Sequence, residues 1–237
     1  MPALSPSDAG VAALSTTTAT RVAADLRRRI LLGELRPGQR LKIDDLAALC
    51  AVSHMPIREA LRELEGDGVL DVLPHRGAVI RGVDANYVRN IYDLREAIEG
   101  MLTERCAERI DTAGVAHLEA VAAAYERAAG RRNTVALLEC NRALHDSINA
   151  AATNPDAVRV LAQGRLLIEA LRLRFGYGAG RVDEVIGQHR ALVRAIGKRD
   201  AAKAGKLARA HCVGARDDLL ARMASAGPTA PPTSRRP

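Results

Sequence analysis

Three histidines of this 237-residue chain, His145, His189 and His211, fall in stretches of helical periodicity, and Asn141 precedes the first by four residues. That spacing puts Asn141 and His145 on one helix face. Three imidazoles with one oxygen donor form a ligand set for zinc, nickel, manganese or iron. Residue type alone favours the plainer alternative, because helical histidines spread over some 70 residues are more often structural than ligating. A second set of residues suits nucleic acid. Ser53, His54, Met55 and Arg58 open a short amphipathic run, and Arg62 follows one turn later. The planar fork of Arg58 matches guanine O6 and N7, Arg62 is within reach of a phosphate, and the amides at a helix start can hold one too. Arg76 and Gly77 lie in the turn that follows, where arginine suits a minor groove and glycine lets the backbone approach DNA. The plainer alternative for Arg58-Glu59 and Arg62-Glu63 is a solvated helix face.

These residues need elements to hold them. Val22, Leu26 and Ile30 recur at i, i+4 and i+8, an amphipathic helix that Gly33 ends before the Pro37-Gly38 turn. A second helix is expected from Ile43 to Leu49, and a break at Cys50-Ala51-Val52 leads to a third. Ser53 is placed as its N-cap, with the hydroxyl accepting from the Met55 amide, and Pro56 sits in the first turn. Ile57, Ala60, Leu61 and Leu64 form its buried stripe, and Gly66 and Gly68 stop it. The runs Val69–Leu73 and Ala78–Ile80 flank Pro74-His75-Arg76-Gly77, a hairpin signal. Helix, helix–turn–helix and hairpin together make a winged helix-turn-helix. Beyond Asp84 only helical periodicity is found, with breaks at Asp111–Gly114, Gly130–Asn133, Asn154-Pro155, Gly176–Gly180 and near Asp200. About six helices are expected there, enough for a bundle that encloses a pocket.

The fold class is therefore mainly α. A flexible arm over 1–19 and a Pro-rich disordered tail over 226–237 bracket a winged helix-turn-helix (20–84) and an all-helical domain (85–225).

Composition sets limits. Aromatic residues make up 2% of the chain, with no Trp and one Phe, which argues against an aromatic platform for single strands. Four cysteines without CxxC spacing argue against a disulfide framework or a thiolate zinc finger. No long uncharged apolar stretch suggests a membrane span, and residues 1–20 lack the charged start of a secretory signal, so a cytoplasmic protein is expected. The net charge of +7 is carried by residues 85–237, with 24 basic and 17 acidic residues, whereas residues 1–84 carry 11 of each. A DNA-reading N-terminal segment must therefore work through individually placed arginines.

The run PGQRLKIDDLAALCAVSHMPIREALRELEGDGVLDVLPHRGAVI, Pro37–Ile80, resembles the DNA-binding domain of GntR-type transcriptional regulators. The family pattern is close to PGxxLxExxLAxxxxVSRTPVREALRxLExxGLVxxxPxRGxxV. Two departures stand at DNA-reading positions, His54 for the usual Arg and Met55 for the usual Thr. Losing a charged fork and a hydroxyl should change which bases are read.

The second segment resembles the FCD effector domain of the FadR-like branch. Tyr92–Glu99 is similar to its opening helix, Asn141–Asn154 to its D-x-x-F-H…N-P stretch, and Gln188–Ile196 with Ala201–His211 to its final EHxxIxxAI…A…H run. In many such domains an Asp and three His hold a metal that helps bind a carboxylate. The resemblance places His145, His189 and His211 at the histidine positions and Asn141 at the Asp. A neutral amide is a weaker donor for a dication than a carboxylate. The resemblance also puts Arg95 in the pocket, as a guanidinium for a carboxylate; the alternative is an intrahelical pair with Glu99. Arg172 and Arg174 are weaker candidates.

What the resemblance implies is a homodimeric regulator, more often a repressor, that binds a double-stranded DNA operator and answers to a small carboxylate metabolite. Two other readings stand beside it: a regulator for which the metal itself is the signal, and a three-His metalloenzyme. The last lacks an HExxH helix and a placed carboxylate base.

Overall fold

Thr17 caps the first helix, α1 (Thr18–Leu31), its hydroxyl accepting from the Thr20 amide at 3.1 Å. The structure, a computed structural model, describes residues 17–74, 76–131 and 133–226. Helix α1 thus begins inside the expected arm. The rest of that arm, 1–16, and all but the first residue of the expected tail lie outside the described residues.

Val22, Leu26 and Ile30 are buried, as their spacing requires, against the stripe of Ile57, Ala60, Leu61 and Leu64. Those four belong to α3 (His54–Gly66), which follows α2 (Ile43–Cys50) through a left-handed Ala51 (φ 53°, ψ 46°). Ser53 occupies the N-cap position of α3 but makes no side-chain capping bond, contrary to expectation. Pro56 is the third helical residue and has no N–H, so one of the two amides a cap can use is missing. The serine is exposed instead.

The hairpin gains a strand. β1 (Arg40–Leu41), β2 (Leu70–Leu73) and β3 (Gly77–Ile80) form an antiparallel sheet in the order β1-β3-β2, with Leu41 opposite Ala78. Two residues are too few for an alternation pattern, so β1 leaves no signal in the sequence. It does explain Gly77. That residue is buried at φ 88°, and a Cβ there would stand 2.0 Å from the Leu41 carbonyl oxygen. The protein's own edge strand by itself requires glycine at this position.

From Ala85 to Ser225 the described chain is helical: α4 (Ala85–Arg109), α5 (Thr112–Gly130), α6 (Thr134–Ala152), α7 (Pro155–Ala162), α8 (Arg165–Phe175), α9 (Arg181–Gly197) and α10 (Ala201–Ser225). That is seven helices among the described residues where about six are expected. The added break is at Gln163-Gly164, where Gly164 takes φ 70° and begins a new helix. A Cβ on Gly164 would lie 2.5 Å from the Tyr87 hydroxyl, so conformation and space both call for glycine.

Helix α8 belongs to both halves of the molecule. Leu167 on α8 is 1% exposed and completes the core formed by α1, α3 and the sheet. The Gly164 amide donates to the Asp67 carbonyl, at the end of α3, at 2.9 Å. Shortening this side chain leaves a cavity in the winged-helix core, so Leu167→Ala should cost about 2–5 kcal/mol. At this chain length each kcal/mol lowers Tm by about 2–4 °C. A loss below about 2 °C in a thermal melt would show that the winged-helix core closes without α8.

Candidate functional site

On the N-terminal half, the residues expected to read DNA form an open surface. Ser53, His54, Met55, Arg58 and Arg62 are all exposed along the start and outer face of α3, and Arg76 is exposed in the β2–β3 turn. Met55 is 64% exposed, unusual for a large apolar side chain. His54 Nε2 lies 3.1 Å from Asp44 on α2. Arg58 and Arg62 have no acidic partner within ion-pair distance among the described residues, which leaves both forks available.

In the helical half, His145 (α6), His189 (α9) and His211 (α10) converge. Their ligand atoms lie within 4.8 Å of one another, and all three side chains are buried. The rings of His145 and His211 stack at 5.1 Å, and His189 stands 5.1 Å from His211 and 5.8 Å from His145. Tyr125 packs edge-on against His189 at 4.8 Å. Two partners orient the outer histidines. His145 Nδ1 is 3.4 Å from the Glu99 carboxylate, and His211 Nδ1 is 2.8 Å from the Gln188 side-chain oxygen. If each Nδ1 carries the proton it donates, each Nε2 keeps its lone pair for the cluster, the arrangement found around metal-ligating histidines. Both ring nitrogens of His189 are buried without a partner among the described residues. Asn141 lines the same cavity one turn before His145, and its amide oxygen is the remaining neutral donor.

Arg95 has two positions to account for. It lines the cavity and also pairs with Glu99 at 2.8 Å, one turn along α4. Glu99 is 4% exposed and accepts as well from the Cys212 thiol at 3.2 Å. Burial by itself would raise this carboxyl, but Arg95, His145 and Cys212 outweigh it and hold it below the usual range. Arg172 is buried and committed to Asp218 and to the carbonyls of Ala215 and Gly176. Arg174 is exposed and stacks on Phe175, away from the cavity lining.

The comparisons with known proteins agree with this architecture. The FCD domain matches residues 90–214, and the gntR family of bacterial regulatory proteins matches residues 18–80. The chain belongs to the GntR family, with an FCD domain. The HTH-type transcriptional regulator YdhC of Bacillus subtilis is 28% identical over 188 residues, 78% of this chain and 84% of the relative. McbR of Escherichia coli, also an HTH-type transcriptional regulator, is 26% identical over 166 residues, 70% of this chain and 72% of the relative. The gluconate operon transcriptional repressor of Bacillus licheniformis is 39% identical over 89 residues, 38% of this chain and 36% of the relative. Among solved structures, Escherichia coli McbR/YncC covers 89% of this chain and 99% of its own, with TM-score 0.71 at 20% identity, a likeness of fold. This GntR-family protein is a transcriptional regulator.

Sequence reasoning missed several parts of the regulator's site. Gln188, beside His189, and Tyr125 leave no signal because each faces the cluster from a different helix. Arg181 opens α9 and is 5% exposed, yet as a charged residue after a glycine run it reads as a surface position. Glu99 was visible only as the i+4 partner of Arg95.

Burial keeps the three imidazoles uncharged: it pushes His189 down to about 3, and His145 and His211 below their ordinary value. Unfolded, each takes up a proton near pH ~6.5. The unfolded chain then binds more protons than the folded one below that pH, so stability is complete above it and falls on acidification. Each histidine kept neutral contributes a slope of about 1.4 kcal/mol per pH unit. Melts of metal-free protein should show Tm falling from about pH 7 to about pH 5, less steeply in His189→Leu. Equal slopes would mean that the folded chain protonates His189 freely.

Proposed function

We propose that this regulator is a cytoplasmic, homodimeric repressor whose hold on a DNA operator is changed by a small organic acid bound in the helical domain, with a divalent metal in the same cavity. The observation that carries this reading is the placement of α8. Ile168, Glu169 and Arg172 on this helix line the cavity, while Leu167 on the same helix is part of the winged-helix core. An acid that prefers one position of α8 thereby biases the position of α3. The family resemblance supports the remaining parts, namely the dimer, the operator and the acid.

For the metal, the fit rests on the donors. Three convergent neutral imidazoles, two of them with their far nitrogens occupied, and one amide oxygen suit zinc, nickel, manganese or iron. When bound, such an ion supplies a Lewis-acidic centre that holds a carboxylate. Glu99 and Gln188 keep the imidazoles oriented, and Arg95 adds a cation beside them. A metal-sensing alternative is separated by one measurement: it requires operator affinity to change with metal at fixed acid.

On DNA, Ser53, His54, Met55 and Arg58 stand where the groove is read, with Arg62, Arg76 and the Gly77 backbone alongside. Arg58→Ala should cost about 1–3 kcal/mol of specific binding and relax sequence choice in a competition assay with variant operators. Operator affinity unchanged from the native protein would remove Arg58 from the reading set. In the helical half, protein purified without tag or chelator should carry about one metal per chain. His189→Ala should lose that metal and the acid response while operator affinity in the absence of acid stays within about threefold. A variant that keeps its helical circular dichroism, its metal and its acid response would sink the assignment.

A further inference from the structure

Two buried guanidinium groups face the cavity with donors to spare. Arg95 uses one terminal nitrogen on Glu99, and its Nε is buried without a partner among the described residues. Arg181, at the start of α9, holds Glu184 at 2.8 Å through one terminal nitrogen and lies 3.5 Å from the His211 carbonyl through the other. Its Nε too is buried and unpartnered among the described residues. Arg172 is different, since its terminal nitrogens are already committed to Asp218 and two carbonyls. The two arginines with spare donors attach to different histidines of the cluster. Arg95 connects through Glu99 to His145, and Arg181 connects to the backbone of His211.

The fold makes room for Arg181. Gly214 lies in the interior of α10, where alanine is the better helix former. A Cβ at Gly214 would stand 2.8 Å from a terminal nitrogen of Arg181 and 3.2 Å from the other. The missing methyl is the space the guanidinium occupies.

Charge then decides what kind of ligand fits. Arg95 is answered inside the cavity by Glu99. Arg181 is answered by Glu184, whose side chain is 56% exposed and so largely screened by water. Glu169, the other carboxylate of the lining, is faced by Arg142 at 3.6 Å, and the three neutral imidazoles and the Asn141 amide bring no negative charge. An aspartate at position 141 would have brought one.

We infer that the cavity takes a small dianionic acid, one anionic group lying at the histidine cluster beside Arg95 and the second, a carboxylate or a phosphate, held by Arg181. This rests on the acid-effector reading above and adds to it the second anionic group. Size agrees. The cavity measures about 80 Å³, and a water position takes roughly 10–15 Å³, so it holds on the order of five to eight water-sized groups. An acid of about three to five carbons fills that space.

The test is titration calorimetry on the full chain, both zinc-loaded and chelated, with pairs of acids that differ by one anionic group. Suitable pairs are succinate and butyrate, malate and 2-hydroxybutyrate, and 2-phosphoglycolate and glycolate. At least one dianion should bind about tenfold or more tighter than its partner, the range expected for a charge-assisted pair. Arg181→Gln should bring that ratio to within about threefold by weakening the dianion more than the monoanion. Arg181→Lys should restore part of it. Gly214→Ala moves the guanidinium without removing it and should also weaken the dianion, which keeps the test open if Arg181→Gln fails to fold. Tighter binding of 2-phosphoglycolate than of malate assigns a phosphate to Arg181, and the reverse assigns a carboxylate. Monoanions that bind as tightly as dianions, or a ratio unmoved by both Arg181→Gln and Gly214→Ala, would overturn the second group alone. If acids of neither kind bind in either metal state, the acid-effector reading falls and the inference with it.

Discussion

One buried carboxylate organises the helical half of this regulator. Glu99 is almost wholly removed from water, and a lone ionised group in that position would be strongly destabilising. It is tolerated because three partners from three helices meet it: Arg95 from its own α4, His145 from α6 and Cys212 from α10. The same contacts align the cavity. The carboxylate fixes which nitrogen of His145 faces the cluster, and it holds the Arg95 guanidinium against the cavity wall. Its charge draws His145 toward protonation, but burial outweighs that pull and keeps the three histidines neutral.

A polar centre of this kind matters to the winged helix only if its state reaches α3. Two contacts provide the route. Leu167 is packed among residues of α1, α3 and the sheet, and the Gly164 amide bonds to the carbonyl of Asp67, where α3 ends. Arg27 of α1 holds the same region from the other side, reaching Glu63 at 2.8 Å and the Asp67 carboxylate at 2.5 Å. The C-terminal end of α3 is therefore anchored both within the winged helix and to the effector domain. Close-packed interiors transmit small displacements instead of absorbing them, so a shift of α8 is felt along α3.

The surface proposed to face DNA is economical in charge. Residues 1–84 carry equal numbers of acidic and basic side chains, and much of the basic complement of α1 is paired: Arg27, Arg28 and Arg29 all engage carboxylates. Arg58 and Arg62 stand apart from these pairs on the outer face of α3. His54, at a position where relatives in the family commonly carry arginine, is engaged by Asp44 of the preceding helix. An imidazole tied to a carboxylate presents different hydrogen-bonding geometry from a guanidinium fork. The exposed Met55 beside it offers an apolar contact rather than a hydroxyl.

Much of this was legible in the residue order. Apolar spacing defined α1, α2 and α3, the Pro74–Gly77 turn signalled the wing, and glycine and Asn-Pro breaks divided the bundle, because helix periodicity and turn chemistry are local properties. Residue types also nominated the three histidines, and the resemblance to a known family made them a set. Other features were not local. The two-residue β1 and its demand for Gly77 depend on the pairing of Leu41 with Ala78, 37 positions along the chain. The break at Gly164 was invisible because its neighbours continue a helical pattern. That Arg95 both lines the cavity and pairs with Glu99 was decided by the depth at which Glu99 is buried. Most of all, the meeting of His145, His189 and His211 with Glu99, Gln188 and Arg181 required four helices to pack in one arrangement. Sequence determines which face of each helix is apolar and which residues punctuate the chain, since these follow from a few neighbouring side chains. Only the packed structure decides which polar groups share a dry interior, because burial, and with it charge state and ligand choice, is a property of the whole assembly of helices.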